Sequence, residues 1–287
     1  MKKVNWIIEK YLFSEYEDKL VDTIKESGMN VSVFDDSMSR YDNMEDFANN
    51  KFSEDSIVIM HGSLQSGRRM LRTSRYPGIF LTLENYECYN YYGYFGDHLL
   101  NSDYVMMGLN DLSRKKRRLF EYFYPTNKLF IRPSNGYKSF TGQLLSEENF
   151  EQELDILTKS YGGLDMNTLV VLSPSRSIEE EYRFVVIGDN VVSGALYMDK
   201  ESRKYWKPYY DKICEDDKAF EFAEKMSKLY QPDKAYTIDV CRLSNGEYKM
   251  IELNSFCCAS WYGNDYNKIV ESVNNLCIEE YNDVYGY

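Results

Sequence analysis

Short apolar runs alternate with helical spacing in the first part of the chain. The runs typical of buried strands are Val4–Ile8, Val31–Phe34 and Ser56–Met60. The segment from Ser14 to Glu17 has the residue types of a capping box and predicts that a helix begins there. A second helix is predicted at Met44–Asn49. Strands separated by helices favour a parallel sheet, so we expect an α/β domain at the N-terminus.

A turn signal at Pro125-Thr126-Asn127 divides the chain, and a mixed α and β pattern follows it. We therefore predict one domain over residues 1–125 and a second over residues 126–287. In the second domain the predicted strands are Lys128–Arg132, Leu169–Leu172, Glu181–Ile187 and Val191–Tyr197, and the predicted helices are 146–160, 217–230 and 265–276. Residues 76–94 are rich in Tyr, Asn and Gly without a clear period, and their pattern predicts no element.

A β-hairpin is predicted over Tyr236–Asn254, because Asn245-Gly246 suits a two-residue type I′ turn. In such a hairpin the two residue numbers of every facing pair add up to the same total. Asp239 therefore faces Glu252, and Thr237 faces Asn254. The pairs expected on the other side of the sheet are Ile238 with Leu253 and Val240 with Ile251. One face is thus aliphatic, and the other carries two carboxylates and an amide.

Two like charges in facing positions are destabilising, so Asp239 and Glu252 need a cation nearby. An ion pair with a basic side chain is one reading, although Arg242 and Lys249 are expected to face each other in this register. A divalent cation is the other reading, because Mg²⁺ binds one or two carboxylates together with phosphate oxygens. Geometry alone leaves both interpretations open. For a metal site we predict that Asp239→Asn and Glu252→Gln both fold and that, without metal, each substitution relieves the repulsion.

A loop of small and polar residues follows the predicted strand at Lys128–Arg132. Residues 133–142 include Lys138, Ser139 and Thr141, and such loops can bind phosphate through backbone N–H groups. The chain contains neither GxxxxGK[ST] nor GxGxxG, so this is not a P-loop or a dinucleotide fingerprint. A plain connection between two strands is the alternative.

Charge and composition exclude several classes of protein. The chain of 287 residues has a net charge of −12, which opposes general binding to nucleic acid. Arg114–Arg118 are five consecutive basic residues, which we interpret as a solvated segment, with a nucleic-acid patch as the alternative. With only His61 and His98 present, any metal should be a hard cation held by oxygen atoms.

The six cysteines lack the spacing of a zinc site or of a secreted disulfide framework. No stretch approaches the roughly 20 apolar residues of a membrane-spanning helix, and the first residues lack the apolar core of a signal peptide. We therefore expect a cytoplasmic protein with no membrane association.

Together these segments resemble the ATP-grasp superfamily. The features that carry the resemblance are Arg132-Pro133 at a strand end, the loop after it, the Glu181-Tyr182-Arg183 strand, and Asp239 followed by Glu252-Leu253-Asn254. The resemblance implies two α+β lobes that grip ATP, preceded by a small α/β domain. The expected divisions are a pre-ATP-grasp domain at 1–125, a small lobe at 126–170 and a large lobe at 171–287.

The resemblance also implies residue roles. Asp239, Glu252 and Asn254 match the metal ligands that join Mg²⁺ to the nucleotide phosphates, and Arg183 matches a catalytic Arg that faces an acyl phosphate. Arg132 stands where most members have a phosphate-contacting Lys. The other positions that the resemblance assigns to ATP binding are Lys128, Lys138, Ser139, Thr141, Val171, Leu172, Ser173 and Glu181.

The activity implied is ATP-dependent formation of an amide or peptide bond from a carboxylate and an amine through an acyl phosphate. ATP and Mg²⁺ are the implied cofactors, and small molecules, amino acids or peptides are the implied substrates. Two alternatives remain: an ATP-grasp kinase that phosphorylates a hydroxyl group, and a nucleotide-binding module without catalysis. The sequence defines neither the two substrates nor the oligomeric state.

Overall fold

The structure is a computed structural model and describes residues 3–35, 43–73, 77–161 and 164–286. The strands are β1 Val4–Glu9, β2 Asn30–Phe34, β3 Ile57–His61, β4 Val105–Gly108, β5 Lys128–Pro133, β6 Gln143–Ser146, β7 Leu169–Pro174, β8 Ile178–Ile187, β9 Asn190–Asp199, β10 Ala235–Leu243 and β11 Tyr248–Ser255. The helices are α1 Glu17–Glu26, α2 Met44–Lys51, α3 Leu64–Met70, α4 Cys88–Phe95, α5 Leu112–Tyr122, α6 Phe150–Ser160, α7 Lys200–Lys204, α8 Asp217–Ser227 and α9 Tyr266–Tyr285.

The chain forms two compact units. Unit 1 combines residues 1–82 with residues 178–287, and unit 2 is the continuous segment 83–177. The predicted division at 125/126 falls inside unit 2, because β4 pairs with β7 and so joins the residues before 125 to those after it. The division into a pre-ATP-grasp domain and two lobes stays a prediction.

The first part of unit 1 is a parallel sheet in the order β2-β1-β3, with α1 and α2 as its crossover helices. The predicted α/β pattern is therefore confirmed. The predicted capping box is wrong, because α1 begins after Tyr16 without a side-chain cap. The Glu17 carboxylate instead accepts a hydrogen bond from the backbone N–H of Tyr11 at 2.8 Å.

The second part of unit 1 is an antiparallel sheet in the order β11-β10-β8-β9. Helix α8 packs on one face of this sheet, where Phe220 meets Phe184 edge to face. Helix α9 is longer than the predicted 265–276 and packs against the N-terminal part, with the Trp6 indole donating to the Asn274 side chain at 2.9 Å. Both parts of unit 1 therefore share one hydrophobic core, which includes Trp6, Ile59, Val185 and Val270.

Unit 2 contains an antiparallel sheet in the order β4-β7-β5-β6. One face packs on α5 and α6 through a core that includes Leu119, Leu129, Leu154 and Leu172. Helix α6 begins at Phe150 rather than at the predicted residue 146, because Ser146 pairs with Lys128 as the last residue of β6. Strand β4 and helix α4 were not predicted.

Candidate active site

The β10–β11 hairpin brings the predicted carboxylates together, but its turn and its strand register differ from the predicted ones. The turn is longer than predicted: the Leu243 N–H donates to the Glu247 carbonyl, so Leu243 faces Glu247 across three loop residues, of which Gly246 has a φ of 85°. This shifts the facing partners by one residue, and Arg242 pairs with Tyr248 instead of Lys249. The predicted pairing of Val240 with Ile251 is also wrong, because Val240 pairs with Met250.

A β-bulge beside Asp239 then cancels the shift. The register changes between Asp239 and Val240, so Asp239 faces Glu252 and Thr237 faces Asn254, both as predicted. A bulge adds one residue to one strand only, which is the same offset that the longer turn introduces. Two local irregularities thus place these side chains on neighbouring strands as predicted.

The cation at Asp239 is Arg183, from the neighbouring strand β8. Asp239 and Arg183 face each other across the β8–β10 pair. The Arg183 Nε donates to Asp239 Oδ1 at 2.7 Å, and Nη2 donates to Oδ2 at 2.6 Å. Nη1 donates to the Ser260 carbonyl at 2.9 Å. Asp239 is 2% exposed and Arg183 7%, so this is a buried, bidentate ion pair.

Two tyrosine rings flank the Arg183 guanidinium. Its Cζ lies 5.0 Å from the centroid of Tyr262 and 5.6 Å from that of Tyr197, and the two rings stack with centroids 4.6 Å apart. Desolvation is the largest single influence and acts to lower the pKa of Arg183, but the charge and hydrogen bonds of Asp239 together with the two tyrosines outweigh it, and the pKa lies well above its ordinary value. Burial, with the charges of Asp239 and Glu181, raises the pKa of Tyr197 well above its ordinary value. Both groups therefore keep their protons at neutral pH.

Glu181 lies two residues from Arg183 but does not pair with it. Its Oε1 accepts from Arg203 Nη2 at 2.6 Å, and its Oε2 accepts from the Tyr197 hydroxyl at 2.7 Å. Glu181 therefore fixes the ring that packs beside Arg183. The ATP contact expected of Glu181 stays a prediction.

The donor set around Asp239 suits a hard cation. Glu252 and Asn254 follow on β11, and Asn254 Nδ2 lies 3.4 Å from Asp239 Oδ2. Thr237, fully buried, faces Asn254, and its hydroxyl has no hydrogen-bond partner in the described part of the chain. Carboxylate, amide and hydroxyl oxygens are the ligands that Mg²⁺ prefers. No group of three His, Cys, Asp or Glu side chains able to hold a metal occurs among the described residues, so an amide oxygen would complete this set.

The opposite face of the same sheet carries a separate polar network. By register Arg242 and Glu180 face each other there, and Arg242 Nε donates to Glu180 Oε2 at 2.8 Å. A groove of about 1,120 Å³ opens on this face, lined in part by Tyr182, Asp216 and Tyr248. The Tyr248 hydroxyl donates to the Asp216 carboxylate at 2.6 Å, and the Tyr182 hydroxyl donates to Glu180 Oε2 at 2.5 Å and lies 3.2 Å from Asp216. Arg242 is thus an ion-paired arginine on β10 that does not face Asp239.

In unit 2, the side chains predicted to bind ATP lie on both faces of the sheet, because successive residues of a strand point to opposite faces. Arg132 pairs with Val171, and Phe130 with Ser173, so Arg132, Val171 and Ser173 share one sheet face by register. Lys128, exposed at the start of β5, belongs to the same face. Leu172 points to the other side and is part of the hydrophobic core, so any contact with ATP would use its backbone.

The predicted phosphate loop is held by bonds within unit 2. The N–H of Ser139 donates to the Asn135 side chain at 3.4 Å, and that of Lys138 to the Asn135 carbonyl at 3.3 Å. The N–H of Thr141 donates to the Tyr161 hydroxyl at 3.2 Å, and Phe140 is buried. Phosphate binding by these N–H groups stays a prediction, and it would require these bonds to be exchanged.

Comparison with known families identifies the fold. A family model described as "ATP-grasp domain, R2K clade family 2" matches residues 115–272, which is more than half of the chain. The chain belongs to this ATP-grasp family. The resemblance of the sequence to the ATP-grasp superfamily is thereby confirmed, and so is the ATP-grasp fold. No curated protein sequence matches significantly.

Solved structures of ATP-grasp proteins share this fold at low sequence identity. D-cycloserine synthetase DcsG superposes with a TM-score of 0.64 at 12% identity, over 95% of this chain and 99% of that chain. The D-alanine-D-alanine ligase of Coxiella burnetii gives 0.63 at 12% identity, over 99% and 98%. The ATP-grasp ligase PsnB, solved with a variant of its minimal precursor, Mg and ADP, gives 0.59 at 13% identity, over 95% and 98%.

The basic run at Arg114–Arg118 lies on α5. Arg114 and Lys115 form ion pairs with Asp111, and Arg117 pairs with Glu121. Three of the five basic side chains thus form local ion pairs, with two carboxylates, in agreement with a solvated helix face. Within the described residues, no helix combines the length and apolar character needed to cross a membrane.

Proposed function

We propose that this protein is an ATP- and Mg²⁺-dependent ligase that joins a carboxylate to an amine through an acyl phosphate. The observation that carries the proposal is the convergence of Asp239, Glu252 and Asn254 on neighbouring strands, with the Arg183 guanidinium held against Asp239. ATP-grasp proteins of the same fold include a D-alanine-D-alanine ligase and a ligase solved with its minimal precursor. We therefore propose an amino acid or a short peptide as substrate.

Asp239, Glu252 and the Asn254 amide oxygen would hold Mg²⁺ on unit 1. The metal supplies positive charge to the phosphate oxygens as the γ-phosphoryl group is transferred. On unit 2, Arg132 takes the place of the phosphate-contacting Lys, and a guanidinium fork suits two phosphate oxygens. Lys128, Lys138, Ser139 and Thr141 are the further proposed phosphate contacts, with Val171, Leu172 and Ser173 beside the adenine.

The proposed reaction has two steps. An oxygen of the substrate carboxylate attacks the γ-phosphorus, the bond to the bridging oxygen breaks, and ADP leaves. The amine nitrogen then attacks the acyl carbon, the bond between that carbon and the phosphate oxygen breaks, and phosphate leaves while the amine proton passes to solvent. Arg183 stabilises the negative oxygen that develops at the acyl carbon. A lost contact of this kind typically costs about 2.7–4 kcal/mol in the barrier.

A substrate screen with a chemical trap tests the proposal. Amino acids and short peptides are screened for phosphate release from ATP, and hydroxylamine is then added to the active combination. A ligase gives a hydroxamate, because hydroxylamine attacks the acyl phosphate in place of the amine. The Arg183→Lys variant should retain ATP binding and lose most hydroxamate formation, whereas the control variant Arg242→Gln, on the opposite sheet face, should resemble the wild type.

Two results would contradict the ligase proposal. A phosphorylated hydroxyl product without hydroxamate would identify a kinase. ATP binding without phosphate release for any carboxylate, alcohol or amine in the screen would favour a nucleotide-binding module.

A further inference from the structure

We infer that Arg183 is the resident counter-ion of Asp239 and that it makes metal binding at this carboxylate dependent on bound nucleotide. The inference rests on the proposed function, since it concerns the same metal site. It assigns Arg183 a positioning role before any chemistry occurs.

The first argument is that the Asp239 carboxylate is already neutralised. Both of its oxygens accept hydrogen bonds from one guanidinium, at 2.7 and 2.6 Å, and neither partner is more than 7% exposed. A buried carboxylate requires a cation, and here the chain provides one. A metal ion that arrives alone therefore gains little from Asp239.

The second argument is repulsion. A divalent cation coordinated to Asp239 would lie within a few ångströms of the Arg183 guanidinium, in a buried site where charges are weakly screened. One carboxylate cannot balance the three positive charges of the metal and the guanidinium, and adding Glu252 still leaves the metal and these three side chains with one net positive charge. The polyphosphate of a nucleotide supplies the missing negative charge, so the metal should bind beside the guanidinium more tightly when the nucleotide is present.

The third argument is that Arg183 has other contacts that do not involve Asp239. Nη1 donates to the Ser260 carbonyl at 2.9 Å, and the Tyr262 ring lies 5.0 Å from Cζ. The Tyr197 hydroxyl is fixed by Glu181, which is fixed in turn by Arg203. These contacts keep the guanidinium beside the site when a metal takes its place on Asp239, which leaves the Nε edge available for a phosphate oxygen.

Mn²⁺ binding measured by electron paramagnetic resonance tests the inference without any substrate. Wild-type protein is titrated with Mn²⁺ alone and with Mn²⁺ in the presence of saturating ADP. We expect at least about tenfold tighter Mn²⁺ binding with ADP, a difference of roughly 1.4 kcal/mol. In Arg183→Gln the nucleotide-free affinity should rise by about tenfold or more, so that the effect of ADP shrinks.

Three further variants make the result specific. Arg242→Gln removes one positive charge from the other face of the same sheet and should bind Mn²⁺ as the wild type does. Arg183→Gln combined with Asp239→Asn should lose the gain, because the carboxylate is gone. Arg183→Lys keeps the charge but not the bidentate geometry, and should show a smaller gain in the same direction even if Arg183→Gln does not fold.

The inference is overturned if neither Arg183 variant binds Mn²⁺ more tightly than the wild type, if Arg242→Gln shows the same gain, or if the gain survives removal of the Asp239 charge. It is also overturned if bound ADP leaves the wild-type Mn²⁺ affinity unchanged. Failure of ADP itself to bind, monitored by equilibrium dialysis, would instead reject the proposed nucleotide site, and the Mn²⁺ gain of Arg183→Gln would still report on the ion pair.

Discussion

The two carboxylates of the candidate site should respond differently to loss of their charge. Asp239→Asn leaves the buried Arg183 guanidinium without its counter-ion, and removing one partner of a buried ion pair costs about 3–5 kcal/mol. Glu252→Gln removes the charge of a half-buried residue that faces an Asp239 already neutralised by Arg183, so it should change the free energy of unfolding by less than about 1 kcal/mol. The sequence alone predicts relief of repulsion in both variants, and the ion pair reverses that expectation for Asp239.

Urea unfolding followed by tryptophan fluorescence measures this difference directly. Trp6 and Trp261 are fully buried in unit 1, whereas Trp206 is 79% exposed, so the change in emission reports mainly on the core that surrounds the first two. Metal is removed by chelation before the experiment. We expect a lower midpoint for Asp239→Asn than for wild type, with an unchanged slope.

A double-mutant cycle with Arg183→Gln provides the control. If the pair carries the effect, the double variant should be clearly more stable than the sum of the two single losses predicts. An Asp239→Asn variant as stable as Glu252→Gln would refute the assignment of Arg183 as the essential counter-ion of Asp239.

Three other predictions follow from described contacts. Burial lowers the pKa of His61 to about 3, and the Tyr16 hydroxyl contacts its Nε2 at 2.9 Å. Below about pH 6.5 the unfolded chain takes up a proton at this histidine and the folded chain does not, so the free energy of unfolding should fall by about 2 kcal/mol between pH 6.5 and 5. Urea unfolding across that range should show a weaker pH dependence for His61→Phe. Mg-ADP should raise the melting temperature of the wild type, by mass action worth about 2.7 kcal/mol at 100 times Kd, and an undiminished shift in Glu252→Gln would contradict the metal assignment. Gly136→Ala should destabilise unit 2 by more than about 1 kcal/mol, because the added Cβ would lie 2.6 Å from the Leu83 carbonyl oxygen. An unchanged midpoint in thermal unfolding would show that the loop moves to accommodate the methyl group.

The elements with strong local signals could be predicted from the sequence. The parallel β1–β3 arrangement, the β8–β9 hairpin around Gly188 and the β10–β11 hairpin all follow from apolar periodicity and turn residues. The missed elements have weaker patterns: β4 is only four residues long and half-buried, and α4 is rich in Tyr, which does not distinguish a helix from a strand. The length of the turn near Gly246 was missed because a glycine with positive φ suits both a two-residue and a three-residue loop.

The site was predictable within one hairpin and not beyond it. The position of Asp239 opposite Glu252 depends on residues close in sequence. The predicted pairing is correct because the bulge compensates for the longer turn. The partner of Asp239 could not be found in this way, since nothing in the sequence states that β8 lies next to β10. The roles of Tyr197 and Tyr262 depend on the same long-range pairing, because each is defined only by its distance from Arg183.

The division of the chain has a consequence for folding during synthesis. Residues 83–177 are continuous, so unit 2 can complete its core as soon as that segment has left the ribosome. Unit 1 cannot do so, because the core that holds Trp6 and Ile59 also requires Val270 and Tyr281 from the last helix. The first three strands must therefore wait, with apolar surface exposed, until about 200 further residues have been made, at roughly 5–20 residues per second. During that interval the apolar surface of the N-terminal segment is a site for aggregation or for chaperone binding.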